Sequence, residues 1–238
     1  MTDQRVALQP AYILHSRAFR ETSLLVDSFT RDFGRISFVA RGARAAKSRW
    51  RGMLQLIRPL LLSWSGRSEL KTLTAAEPSG SLLPLTGKAL YCGLYMNEVI
   101  IRSLAQHDPH TQLFAVYHSS LVELVKGDRL HPPLRQFEIQ LLSAIGLGIQ
   151  LDRDANTGQP VEADGWYQYQ LDQGLVRMDS NRQTGDRISG GLLIALAKGD
   201  FSEPGYNSGM RLLLQSIISH HLGGKPLASR ELLRSLDG

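Results

Sequence analysis

Alternation of apolar and polar positions dominates the first 80 residues. Val6–Leu14 reads as a strand, and Ser23–Phe29 is rich in β-formers. Asp32-Phe33-Gly34 marks a turn. Beyond it, Arg35-Ile36-Ser37-Phe38-Val39 sets basic or polar residues between apolar ones, the period of two expected of a strand with one buried face. Two more strands are predicted over Ile57–Trp64 and Glu69–Glu77, joined by the hairpin loop Ser65-Gly66-Arg67-Ser68. Five strands with turns between them predict a small barrel, and a split open sheet also satisfies the pattern.

Pro78, Gly80 and Pro84 interrupt the chain, and a helical period follows. Gly87–Gln106 predicts a central helix with Leu90, Leu94, Ile101 and Leu104 on its most buried stripe. His110–Lys126 predicts a second, stopped by Gly127-Asp128. Pro133 opens a third, where its missing N–H does no harm, and Leu134, Phe137, Leu141 and Ile145 recur at spacings of three and four. Residues 150–188 break the pattern with many Asp, Asn, Gln and Gly. Within them Trp166–Leu171 and Leu175–Met178, split by Asp172-Gln173-Gly174, predict a small hairpin. Helices resume at Ser189–Ala197 and Ser208–Leu222, and a last one is expected over Ser229–Leu236. The expected fold class is therefore α+β: a barrel domain over residues 1–80, then a mainly α-helical domain over 81–238 with a hairpin insertion at about 150–188.

Composition removes several classes of function. At 42% hydrophobic and 21% charged, the 238 residues argue against wholesale disorder. One cysteine, Cys92, excludes an intrachain disulfide and a cysteine-rich zinc ribbon. The longest apolar run, Leu192–Ala197, has six residues, against roughly 18 for a membrane span. Asp3 and Arg5 precede any apolar run, so no secretory signal and a cytoplasmic location are expected.

Catalytic motifs fail on spacing. Gly80–Lys88 has Leu82 where a phosphate loop needs glycine, and Ala89 where a hydroxyl must hold Mg²⁺. Gly146-Leu147-Gly148 lacks the third glycine of a dinucleotide fingerprint, because Leu151 stands there. His107-Asp108-Pro109-His110 and His220-His221 have no further ligands at metal-binding spacing. In Gly205-Tyr206-Asn207-Ser208-Gly209 the serine falls one place late for a nucleophile elbow. No enzyme activity, metal or cofactor is expected.

Charge changes the picture more. The first 80 residues carry 13 Lys/Arg against 6 Asp/Glu, while the remainder carries 14 against 16. Residues 33–68 hold eight basic residues and no acid. Such one-sided charge favours a polyanionic partner, with a solubilising basic surface as the alternative. The densest stretch is Arg41-Gly42-Ala43-Arg44-Ala45-Ala46-Lys47-Ser48-Arg49-Trp50-Arg51, directly after a strand. Its cations, with Arg35, are candidates for phosphate oxygens. Trp50, Phe38 or Tyr12 are candidates for stacking on an unpaired base. The competing expectation puts Phe29, Phe38 and Trp64 in the barrel core. A second candidate is the helix face of Arg135, Phe137, Leu141 and Leu142, where a cation beside apolar residues suits an acidic, aromatic-ended peptide. Arg102, Arg211 and Arg230 are either an extension of the nucleic-acid path or ordinary surface arginines.

Together these segments resemble the RecO family of bacterial recombination mediators over nearly the whole chain. The resemblance rests on His15-Ser16-Arg17, Glu21-Thr22-Ser23-Leu24, Gly34-Arg35, Arg41-Gly42-Ala43-Arg44, Leu60-Leu61-Leu62 and Lys71-Thr72-Leu73. It continues through Gly93-Leu94-Tyr95-Met96-Asn97-Glu98, Leu134-Arg135-Gln136-Phe137-Glu138, Gly223-Gly224-Lys225-Pro226-Leu227 and Ser229-Arg230-Glu231. It implies an N-terminal OB-fold barrel, binding to single- and double-stranded DNA, and contact with the acidic C-terminal tail of the single-strand-binding protein SSB through the Arg135 face. It also implies cooperation with RecR, indirect assistance to the RecA filament, strand annealing, and a nucleoid-associated cytoplasmic location. An interaction scaffold or an RNA-binding barrel is the rival reading of the residues themselves. Many RecO-like proteins carry a four-cysteine zinc module after the helix that here ends near Gly146; residues 147–190 contain no cysteine, so packing is expected to hold that segment.

Overall fold

Alternation in the first strands does close a barrel. The computed structural model describes residues 5–171, 173–178 and 187–235. Strands β1 (Arg5–Phe19), β2 (Ser23–Thr30), β3 (Gly34–Ala40), β4 (Pro59–Ser65) and β5 (Lys71–Pro78) pair in the order β1-β2-β3-β5-β4. All pairings are antiparallel except β3–β5, where Phe38 meets Lys71 and Val39 meets Thr72 in parallel. Closure decides between the two arrangements that the pattern allowed. Ala11, Ile13, Val26, Ile36, Phe38, Ala40, Leu60, Leu62, Trp64 and Leu73 fill the interior.

β1 runs to Phe19 rather than stopping at Leu14. Ala11–Leu14 are all buried, because Ala11 and Ile13 face the barrel interior while Tyr12 lies under helices on the outside. Tyr12 packs against Phe114 and Tyr117 with centroids 5.8 and 5.0 Å away. Phe29 joins this external cluster, 5.4 Å from Phe114, so its expected place inside the barrel is corrected. The helices concerned are α1 (Gly87–Ser103) and α2 (Thr111–Lys126). The buried side of α1 is formed by Cys92, Gly93, Tyr95, Met96, Asn97, Val99 and Ile100. Leu90, Leu94 and Ile101 are only half-buried, which corrects the expected stripe. Asn97 ties the layers together: its Nδ2 donates to the Leu14 carbonyl at 3.0 Å, and its Oδ1 accepts from the Tyr117 hydroxyl at 2.6 Å.

Two compact units divide the chain. One comprises residues up to Leu130 together with those from Leu227 onward; the other is His131–Pro226. The first contains the barrel, α1, α2 and the returning helix α6 (Ala228–Ser235). Glu98 on α1 receives the N-terminus of α6, accepting from the amides of Ala228 (3.0 Å) and Ser229 (2.9 Å) and from the Ser229 hydroxyl (2.7 Å).

The second unit contains α3 (His131–Ala144), the sheet β7-β6-β8 built from β6 (Trp166–Gln170), β7 (Gly174–Arg177) and β8 (Ile188–Ser189), then α4 (Gly190–Ala197) and α5 (Asn207–His221). The expected hairpin is thus present with a third strand beside it. Its expected turn residue Asp172, and the expected helix end at Leu236, lie outside the described residues. The cysteine-free segment is organised by Asp154, which is 4% exposed. One carboxylate oxygen accepts from the amides of Asn156 (2.9 Å) and Thr157 (2.7 Å) and from the Thr157 hydroxyl (2.9 Å); the other accepts from the Arg177 amide at 2.5 Å. Burial opposes ionisation here, but these donors outweigh it and hold the carboxyl below its ordinary range. Both oxygens are committed to protein donors and no thiolate is near. The segment therefore does not fit a cysteine-ligated zinc, and among the described residues no cluster of three metal-ligating side chains occurs.

Candidate nucleic-acid interface

The basic stretch between β3 and β4 folds as successive tight turns, with Ala45, Ser48 and Arg51 amides donating to the carbonyls of Gly42, Ala45 and Ser48. Gly42 at φ +68° supplies the left-handed position that starts the series. Arg41, Arg44, Lys47, Arg49 and Arg51 are all exposed. Among the described residues none of the five has a carboxylate partner within ion-pair distance. The loop brings together the five cations that its sequence singled out.

Two anchors hold it. Arg44 donates from its amide to the Thr22 carbonyl at 2.7 Å, and its guanidinium reaches the carbonyls of Arg20 (3.4 Å) and Glu21 (3.3 Å). That sets the loop beside the turn between β1 and β2, where Arg17 and Arg20 are also exposed. These two arginines, which the sequence did not single out as candidates, therefore lie on the same side of the barrel as the loop's anchor. The signal was in their shared exposure at one strand end, which only the pairing of β1 with β2 makes visible.

Trp50 is the other anchor. It is 5% exposed and belongs to the barrel core, with Arg49 lying over its ring at 4.3 Å. Its ring offers no face to a base, so the expected stacking role is corrected to one of positioning. Phe38 and Tyr12 are likewise buried, and burial pushes the Tyr12 phenol pKa up. Arg35 departs from the group as well. It is half-buried on β3 and donates to the Leu104 carbonyl at 2.6 Å, a tie to the end of α1.

The second expected site is not a surface. Arg135 is 2% exposed, and Phe137, Leu141 and Leu142 are fully buried. Arg135 pairs with the buried Glu138 one turn along α3, at 3.1 Å. A charged residue at a core spacing looked exposed because its partner is acidic and local. Arg102 and Arg230 are also engaged, with Glu98 at 3.5 Å and the Tyr95 ring at 5.3 Å, whereas Arg211 is exposed.

A closed five-stranded barrel bearing an unpaired cationic loop, followed by helices and a small sheet, defines an OB-type protein suited to a polyanion. Residues 5–82 match the family model described as "Recombination protein O N terminal", and residues 84–231 match "Recombination protein O C terminal". The DNA repair protein RecO of Nitrosococcus oceani is 45% identical over 98% of this chain and 94% of its own. Those of Nitrosospira multiformis and Aromatoleum aromaticum are 42% and 43% identical, covering 97% and 98% of this chain and 96% and 97% of theirs. The chain belongs to the RecO family of DNA repair proteins, and its role is in recombinational repair. No helix among the described residues is long and apolar enough to cross a membrane.

Proposed function

We propose that the protein is a DNA-binding recombination mediator without enzymatic activity: it anneals complementary strands and helps RecA load on SSB-coated DNA, with RecR. The observation that carries this reading is the loop of five exposed, unpaired cations on a barrel of this family. Arg41, Arg44, Lys47, Arg49 and Arg51 hold phosphates, while Trp50 fixes the loop from inside the barrel. Annealing needs no covalent step. Base pairing drives it once cations screen the two backbones. Contact with the SSB tail is supported by family membership; the quartet Arg135, Phe137, Leu141 and Leu142 acts in it from beneath the surface, as the core that shapes the helical face.

The test is annealing of two SSB-coated complementary strands across a salt series. Acceleration that fades with salt is expected, and the double variant Arg44→Glu/Lys47→Glu should lose it together with affinity for naked single strands. Unchanged binding by that variant removes the loop assignment. Absence of acceleration despite binding removes the mediator reading.

A further inference from the structure

We propose a second contact for single-stranded DNA on the small sheet of the second unit, centred on Trp166 and Arg187. Side chains alternate along β6: Tyr167 is buried on the same face as Leu175 of β7, which stands Trp166, Gln168 and Gln170 on the opposite face. Trp166 is 42% exposed, the one aromatic among the described residues' large exposed apolar side chains. The Arg187 guanidinium lies 5.0 Å from its ring centroid. Arg187 also lines a cavity of about 240 Å³ together with Gln168, Tyr169, Leu212, Leu213 and Ser216. The neighbouring helix α5 carries no acid along its length, and its Arg211 and Leu212 are exposed.

This combination matches an unpaired nucleotide. The indole supplies a stacking surface that any base accepts, Arg187 supplies charge for the phosphate, and the Gln168 amide and Ser216 hydroxyl supply donors and acceptors for a base edge. Duplex DNA, whose bases are already stacked, offers the indole nothing. The proposal rests on the DNA-binding reading above and extends it: a protein that pairs two strands has here a base contact separate from the phosphate-holding loop.

Trp50 and Trp64 are buried, at 5% and 2% exposure, so iodide quenching of intrinsic fluorescence reads Trp166 alone. The full chain is titrated with oligo-dT of about 30 nucleotides, enough for more than one site, with a duplex and with an acidic, aromatic-ended peptide as parallel arms. Binding is followed independently by anisotropy of labelled DNA. Protection of the fluorescence from iodide by oligo-dT but not by duplex is expected, and Trp166→Ala should weaken oligo-dT binding about tenfold. Circular dichroism of the variant checks that it folds, and Arg187→Ala, which leaves the ring, should lose part of the affinity while keeping the fluorescence signal. Oligo-dT binding by anisotropy without iodide protection overturns this contact and leaves the loop standing. Protection by the peptide alone makes the site a peptide groove and also overturns it. Absence of any DNA binding by anisotropy removes both readings.

Discussion

The Trp50 indole N–H donates to the Arg41 carbonyl oxygen at 3.0 Å, joining the two ends of the cationic loop through a side chain buried in the barrel. The loop is therefore held from below while its five cations stay exposed. Trp50→Ala should destabilise the first unit by about 3–5 kcal/mol. Trp50→Phe keeps most of the packing, loses the hydrogen bond, and should cost about 1 kcal/mol. Urea unfolding followed by circular dichroism measures both. Equal losses for the two variants would contradict the anchoring role.

Phosphate contacts have a signature that structural arginines lack. Each of Lys47→Ala and Arg51→Ala should reduce the slope of log affinity against log salt by about 0.7 on single strands. Arg35→Ala should leave that slope unchanged and lower thermal stability, because its guanidinium serves the Leu104 carbonyl. Salt titrations of oligonucleotide binding separate the two behaviours.

Much of the barrel was legible because its strands have one buried side. The alternation of Arg35, Ser37 and Val39 with Ile36 and Phe38 reports β3 almost to its ends. β1 was cut short because Ala11–Leu14 are buried on both sides and then give way to the exposed His15 and Arg17, which breaks the period. Trp50 was ambiguous for a different reason: a residue in a loop enters a core only when the chain folds back, and no local pattern announces that. Closure through two parallel pairs of β3 and β5 joins residues over thirty positions apart, beyond any local signal. Arg135 misled because charge normally marks a surface, and its neutralisation by Glu138 depends on both being enclosed.

That enclosed pair makes its own prediction. Arg135→Ala removes the cation paired with a buried carboxylate and should cost about 3–5 kcal/mol, while the double variant Arg135→Met/Glu138→Leu should recover part of the loss. Chemical denaturation of the three proteins checks it. Arg135→Ala with unaltered stability would return this residue to the surface.

Asp154 should make the second unit acid-sensitive and metal-independent. Its folded pKa is lowered, so its contribution is complete above the unfolded value of about 3.9 and is lost as pH falls through the folded one. Amide exchange at Thr157 and Arg177 should stay protected as pH falls to the unfolded value of about 3.9 and open only below it. Asp154→Asn should open the same amides at neutral pH, because its new N–H group has to face donors. A chelator should change neither. Loss of protection on chelation would overturn the account.

Gly34 sits at φ +65°, and a Cβ there would meet the Asp108 carbonyl oxygen at 2.0 Å. Gly34→Ala should therefore destabilise the first unit by more than about 1 kcal/mol. Thermal melting tests it, with Gly52→Ala, which has the same φ sense and open space, as the milder comparison.

The acceptance of α6 by Glu98 has a consequence for biosynthesis. All five barrel strands have been translated by Pro78, yet the donors that saturate Glu98 lie at Ala228 and Ser229, after the entire second unit. The barrel can close before the second unit is made, whereas the contact between α6 and Glu98 forms only after the chain has run through the whole of that unit. Without Ala228 and Ser229, Glu98 keeps only Arg102 of these partners, so the first unit is closed by a segment remote in sequence from its barrel.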